Sequence, residues 1–354
     1  MAFSPEKRAG TMSGILFVAI FAAAATFIAG LGPVKALGLS PLVIGIVMGI
    51  FYANTLHNKF PSAWETGITF SGKKILRFAI VFYGFRITFQ QIGEVGLEGF
   101  LVSLIMLSTT FVFGTWLGHK VFGMDKDTSM LTASGAAVCG AAAVLATEPV
   151  LKAEEHKTAI AVSMVVLFGT ISMFLYPVLY TGIIEHATGF LHMSPREFGI
   201  YVGGTIHEVA QVVAVPASVP NPPIEMSNSA VIVKMTRVIM IAPMLIVLGF
   251  YLSYSAKKEG GIAGDVKLVI PWFAVYFIGV AGFNSLHLVP ETIVNTINEI
   301  DTFLLTMAMT ALGMGTRFSK FKGLGLAPLY TGLSMFLWLV IGGFIITKVI
   351  CGII

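Results

Sequence analysis

"LTASGAAVCGAAAVLATEP", residues 131–149, is the stretch on which the fold turns. It is small and apolar, yet Gly135 and Gly140 divide it. Glycine weakens a helix interior by about 1 kcal/mol relative to alanine. A helix interrupted at membrane depth frees amide and carbonyl groups that only protein or a watery cavity can satisfy. The spacing therefore predicts a discontinuous helix whose second half starts at Gly140. That half would aim unpaired N–H groups and the positive end of its dipole at the gap, which suits an anion. The plainer alternative is that the small residues merely let two helices cross closely.

The rest of the chain makes membrane depth the right setting. Of 354 residues, 56% are hydrophobic and 11% charged, and the mean hydropathy is +0.87. Soluble domains run near a quarter charged. A deficit spread over the whole length implies an all-α polytopic membrane protein. Apolar runs of about 20 residues, enough to cross a bilayer, number eleven: 12–31, 37–56, 64–88, 97–122, 128–148, 156–183, 194–217, 225–254, 267–287, 291–315 and 325–353. The first lacks a convincing cleavage site and reads as a retained helix rather than a signal peptide. No soluble domain, long linker or low-complexity tail is expected. Span 10 carries "LLTMAMTALGMGTRF", residues 304–318, and Gly313 and Gly315 predict a second broken helix there.

Net charge is +4 and the pI near 9.0, a balance that topology explains better than nucleic-acid binding. With spans alternating, the N-terminal side collects 12 basic residues: Lys7, Arg8, Lys59, Lys120, Lys126, Arg196, Lys257, Lys258, Lys267, Arg317, Lys320 and Lys322. The other side holds 5: Lys35, Arg86, Lys152, Lys157 and Lys348. The positive-inside rule then puts the N-terminus in the cytoplasm and the C-terminus outside. Cys139 and Cys351 lie in apolar segments and give no disulfide framework.

Three pairs of segments repeat in the same order. "SPLVIGIVMG" at 40–49 matches "SPREFGIYVG" at 194–203, "KILR" at 74–77 matches "KMTR" at 234–237, and "TSMLT" at 128–132 faces "TFLLT" at 302–306, at offsets of 154, 160 and 174. Partners five spans apart enter the membrane from opposite sides. This predicts an inverted repeat of five plus five, 37–185 and 190–354, with 1–36 as a peripheral N-terminal helix. Inverted repeats are a recurring build of secondary transporters, whose sites lie near the midplane.

The costly polar groups are the candidate site. "YVGGTIHEVAQVVAV", residues 201–215, sets His207, Glu208 and Gln211 in an apolar run. A zinc protease would place a second histidine where Gln211 stands. On a helix His207 and Gln211 would share a face, with Glu208 about 100° away. The repeat sets Glu208 opposite Asn54 and Gln211 opposite His57. Intramembrane ionisable groups mark pathways: His207 and Gln211 would bind substrate, and Glu208, with Asn54, would serve ion coupling. Alternatively, Glu208 is a buried counter-ion for a neighbouring cation. Lys74, Arg77, Lys234 and Arg237 recur as pairs at i and i+3. Each costs about 2.5–3.5 kcal/mol at a helix centre on insertion scales. Arg77, Lys234 and Arg237 would draw an oxyanion, the arginines through their planar fork. The competing reading has Lys74 snorkel to the surface and the arginines cap helix ends or pair with Glu208. Thr132, Ser134, Gly135, Cys139 and Gly140 would supply hydroxyl and backbone contacts around the break. Asn284 and Ser285 read as helix caps, and Glu299 and Asp301 as dipole partners near a helix start.

Taken together, "GAAVCGAAAVLA", "GGTIHEVAQVVA", "KMTRVIMIAP" and "KILRFAIVFYGFRIT" resemble a family of bacterial membrane proteins named as sulfate exporters, over about residues 40–330. The resemblance implies the superfamily of bile-acid/sodium symporter-like carriers. It also implies inverted five-helix repeats, two crossed discontinuous helices (spans 5 and 10 here), elevator motion and a bacterial inner membrane.

The leading expectation is a secondary carrier of a small oxyanion, sulfate- or sulfonate-like, coupled to a proton or sodium gradient. It needs no cofactor or metal and is not an enzyme. Its partners would be the anion, the bilayer and a second copy of the chain. A cation/proton antiporter is the first alternative, because broken inverted repeats serve those too. The second is an intramembrane hydrolase using His207 and Glu208, with Cys139 a poor nucleophile candidate. No GxxxxGK[ST] motif is present to drive an ATP-dependent pump.

Overall fold

A computed structural model describes residues 6–32, 40–258, 272–317 and 325–353, together with Ser4, Val34 and Ser319. Lys35, Lys267, Lys320 and Lys322 of the charge bias lie outside the described residues, as do the first residues of spans 37–56 and 267–287. The described chain is helical throughout, with no strand among the described residues. The helices are α1 (Arg8–Gly30), α2 (Pro41–Thr55), α3 (65–83), α4 (Phe89–Val121), α5 (Lys126–Ala137), α6 (Ala141–Leu151) and α7 (Glu155–Leu179). They continue as α8 (Pro195–Thr205), α9 (Val209–Ala217), α10 (Ile224–Ile239), α11 (Ile241–Lys258), α12 (Trp272–Ser285), α13 (Glu291–Gly315) and α14 (Leu326–Ile353). Each of the eleven expected spans coincides with one helix or a consecutive pair. Among the described residues, five stretches are long and apolar enough to cross a membrane: α1, α4, His156–Ile184, Ile224–Tyr254 and α14.

The chain divides into two compact units. The first comprises Met1–Glu94, Val213–Asn228 and Phe273–Lys322, and the second Val95–Val212, Ser229–Trp272 and Gly323–Ile354. The first crossing point falls beside Gly96, whose φ of 27° and ψ of −125° interrupt α4.

In the first unit, α1, α2 and α3 pack around an aromatic cluster. The Phe17 ring lies 5.3 Å from Tyr52, 4.9 Å from Phe60 and 5.1 Å from Trp64. Such tilted pairs add to plain area burial. Helix α2 crosses α13 backbone to backbone. A Cβ on Gly49 would strike the Thr310 carbonyl, and one on Gly313 the Ile46 carbonyl. This close approach, not a break, is the use of glycine in span 10. Contrary to expectation, α13 runs uninterrupted from Glu291 to Gly315. Its buried threonines satisfy their hydroxyls within the helix: Thr306 and Thr310 each donate to the carbonyl one turn back at 2.8 Å. Asp301 therefore sits three turns into α13, not at its start. Its fully buried carboxylate meets Arg86 at 3.4 Å, a counter-ion rather than a dipole partner. Ser285 caps as expected, accepting the Phe89 amide at 2.7 Å, while Asn284 donates to the Ile87 carbonyl at 3.1 Å.

The second unit is built on α5, α6 and α7, where Leu131, Val144, Ala161 and Val165 form a dry cluster. Met164 and Phe168 of α7 pack with Phe336 of α14. Span 5 breaks as predicted: α5 ends at Ala137, Val138 leaves helical geometry (φ −116°, ψ −85°), and Gly140 adopts φ +76° before α6 begins. Span 7 breaks too, between α8 and α9, with Ile206 extended (φ −69°, ψ 146°). Unwound segments of three residues thus interrupt spans 5 and 7, whereas α10 and α11 of span 8 are parted only at Met240. The Ser-Pro pairs of the repeat are two helix starts of one design: Ser40 and Ser194 are N-caps, each with Pro at the first helical position.

Gly313→Val should lower thermal stability in detergent by the about 1–3 kcal/mol of an overpacked core. Gly315→Val, whose added atoms meet open space, should leave it unchanged. Equal effects would refute the crossing.

Candidate functional site at two helix breaks

Breaking α5 from α6 and α8 from α9 strands carbonyls on one side of each break and amides on the other. The carbonyl side is met from α10. Lys234 and Arg237, one turn apart and so on one face, are both fully buried. Lys234 Nζ donates to the carbonyls of Val138 (2.7 Å), Ile206 (2.6 Å) and His207 (2.7 Å). Arg237 Nε donates to Ala137 at 3.1 Å, Nη2 to Ala136 at 3.2 Å and also to Ala137, and Nη1 to Gly203 at 3.4 Å. Two side chains therefore serve carbonyls at both helix C-termini. A cation at that end also opposes the negative pole of the dipole.

The amide side is met by acid and amide groups. Glu208 Oε1 accepts from the first amide of α6, Ala141, at a long 3.5 Å. Gly140 makes this approach possible, because a Cβ there would overlap the Glu208 side chain and the φ is positive. Gln211 Oε1 accepts the Glu208 amide at 3.1 Å and so caps α9. The Gln211 amide group lies against Gly169 of α7, where a Cβ would collide with it. Two polar atoms here are buried without a hydrogen-bond partner, His207 Nδ1 and Gln211 Nε2. Their residues are 2% and 1% exposed. Leaving a buried donor unpaired costs about 1–3 kcal/mol.

Of the sequence candidates, the second unit gathers Cys139, Gly140, His207, Glu208, Gln211, Lys234 and Arg237 at the breaks. His207 and Glu208 lie in the non-helical segment itself, so the expected helical face shared by His207 and Gln211 does not form. Thr132 bonds back to the Thr128 carbonyl at 2.7 Å. Ser134 meets Thr147 Oγ1 at 2.6 Å and the Ala143 carbonyl at 3.2 Å, fastening α5 to α6. Gly135 stays helical. The first unit holds the other candidates. Arg77 is exposed, its guanidinium 5.8 Å over the Phe273 ring, and Lys74 is exposed as well. Asn54 donates to Ile50 at 2.8 Å and to Thr316, just past the end of α13, at 3.0 Å. The matched basic pairs thus stand in opposite surroundings.

Several contributors carried no sequence signal. The carbonyls of Val138 and Ile206 are main-chain groups of ordinary apolar residues. Tyr176 donates to Thr205 Oγ1 at 3.0 Å and stacks on Tyr201, with centroids 4.8 Å apart, holding the end of α8. Aromatic residues in spans look like lipid-facing or packing groups, so nothing singled these out.

Apolar helices broken around buried cations define a multi-pass helical membrane protein. The pattern of the family described as Conserved hypothetical protein 698 matches residues 13–332. The chain is 46% identical to a UPF0324 membrane protein of Pseudomonas putida over 347 residues, 98% of this chain and 96% of that one. It is 48% identical to a UPF0324 membrane protein of Bordetella pertussis over 344 residues, 97% and 96% of the two chains. It is 44% identical to the UPF0324 inner membrane protein YeiH of Escherichia coli K12 over 341 residues, 96% and 95% of the two. The chain belongs to this UPF0324 membrane protein family.

Arg237→Met strands the carbonyls served at the two helix ends and should cost on the order of 3 kcal/mol or more in thermal unfolding. Arg237→Lys should fall between. Arg77→Met, at an exposed position, should stay within about 0.5 kcal/mol. A tolerated Arg237→Met would mean that the carbonyls find other donors.

Proposed function

We propose that the protein is a secondary carrier of a small oxyanion, sulfate- or sulfonate-like, with its binding locus at the amide side of the two breaks. The observation that carries this reading is the pair of unpartnered buried polar atoms, His207 Nδ1 and Gln211 Nε2, in the segment that restarts as α9. Helix N-termini with a waiting amide donor suit an oxyanion. Charge supports the same sign. Lys234 and Arg237 carry two positive charges against one carboxylate, Glu208, and the half-charges of the two paired helix ends cancel. The surplus of one positive charge favours a monovalent anion, or a divalent one once Glu208 takes a proton.

In this reading the basic residues do not bind substrate by their forks, because their donors are committed to carbonyls. They supply field and hold the breaks open. Glu208 is the internal anion at the Ala141 amide and the coupling group, displaced or protonated as substrate enters. A hydrolase is disfavoured, since Gln211 stands where a second histidine ligand would be and Glu208 is engaged with a helix start. The positive surplus also speaks against a cation substrate.

The inverted repeat supports transport. Pairing span 2 with 7 and span 5 with 10 makes the α2–α13 crossing of the first unit the counterpart of the broken pair in the second. Two compact units are what an elevator needs. The sulfate exporter resemblance, the eleven crossings, a cytoplasmic N-terminus and a homodimer complete the proposal.

Proteoliposomes loaded with protein should take up labelled sulfate or a small sulfonate, driven by an imposed pH gradient. Gln211→Leu should raise the apparent dissociation constant about 10-fold or more, the worth of one hydrogen bond to a charged group. Glu208→Gln should flatten the pH dependence while leaving thermal stability near wild type. Absence of uptake for every oxyanion tested, or pH dependence intact in Glu208→Gln, would defeat the reading.

A further inference from the structure

Three main-chain oxygens converging on one side-chain cation are more than a cap requires. The Val138, Ile206 and His207 carbonyls lie 2.7, 2.6 and 2.7 Å from Lys234 Nζ. A neutral amine has two N–H groups, so three acceptors call for the ammonium form. The three oxygens come from two different helix breaks, and all belong to residues outside the regular helix. A lysine that merely ended a helix would serve the last carbonyls of that helix. Here Arg237 takes those, at Ala136, Ala137 and Gly203, and leaves Lys234 to the unwound segments. Unwound carbonyls at helix breaks are the groups that coordinate monovalent cations in transporters. Remove the lysine side chain, and what remains is an oxygen cage supplied by three buried residues.

We propose that the Val138, Ile206 and His207 carbonyls form a monovalent-cation site that the ammonium of Lys234 itself occupies. The protein carries this cation on α10, so anion uptake needs no free sodium or potassium. The second statement rests on the carrier reading above; the first does not. It leaves the proton as the coupling ion, and Glu208 as its acceptor within the same group of residues.

The test compares wild type with Lys234→Ala in detergent and in proteoliposomes, at constant ionic strength. Ammonium, methylammonium, potassium and sodium chlorides are titrated, with tetramethylammonium as a cation that has no N–H to donate. Wild-type stability should ignore all of them, and wild-type uptake should ignore potassium, sodium and tetramethylammonium; the ammonium salts are read in the thermal arm alone, because permeant amines collapse a pH gradient. Lys234→Ala should be less stable and regain stability with a saturable dose of ammonium or potassium, and not with tetramethylammonium. The thermal arm needs no transport. If Lys234→Ala responds to ammonium while wild type moves no anion, the cation site stands and the carrier reading fails. A wild type that requires sodium for uptake would overturn the substitution of Lys234 for a free ion. A Lys234→Ala protein deaf to every cation would overturn the site itself. So would one that cannot be folded even in ammonium, since a refillable site predicts recovery.

Discussion

Main-chain groups freed inside a membrane must be satisfied by protein, and that single constraint organises the second unit. Two helices stop and restart, at 138–140 and 206–208, and each stop exposes carbonyls where water is scarce. One turn of α10 answers both. Lys234 and Arg237 reach the carbonyls of Ala136, Ala137, Val138, Gly203, Ile206 and His207 from a single helical face. Without them the breaks would carry several unsatisfied acceptors, each worth about 1–3 kcal/mol, against a net stability of only about 5–15 kcal/mol. The two cations are therefore a condition of the fold before they are anything else.

Function follows from what that solution leaves over. The carbonyl ends meet two cationic side chains, while at the amide ends Glu208 makes a long bond to Ala141 and Gln211 caps α9. Two basic side chains, both fully buried, stand against the one half-buried carboxylate of Glu208. An arrangement built only for stability would pair His207 Nδ1 and Gln211 Nε2, as native interiors pair the great majority of buried polar groups. Their lack of hydrogen-bond partners is what the proposed oxyanion locus rests on.

Much of this was legible in the sequence, and what was not has definite causes. The break at Gly140 could be read because a positive φ needs glycine, and glycine in an alanine-rich span is conspicuous. Gly313 misled for the same reason: close crossing and helix breaking recruit the same residue, and only the partner helix α2 tells them apart. The break in span 7 has no glycine at Ile206, His207 or Glu208, so composition there signalled polarity but not discontinuity. Arg77 and Arg237 sit in matching tetrapeptides, yet one is exposed and the other buried. A short motif fixes local spacing and leaves burial to the tertiary neighbours. The Arg86–Asp301 pair, 215 residues apart, was invisible because nothing local links them.

The native cysteines allow a direct measurement at the breaks. Cys139 lies between α5 and α6 and is 6% exposed, and Cys351→Ser leaves it as the single thiol of the 354-residue chain. In membranes, the rate of Cys139 alkylation by N-ethylmaleimide is followed with and without saturating oxyanion. A carrier that opens at these breaks must expose Cys139 during its cycle. Alkylation should therefore proceed, and the transported anion should slow it while a non-transported anion of equal charge does not. A Cys139 that never reacts, or that reacts at one rate whatever anion is present, would contradict a binding site at the two helix breaks.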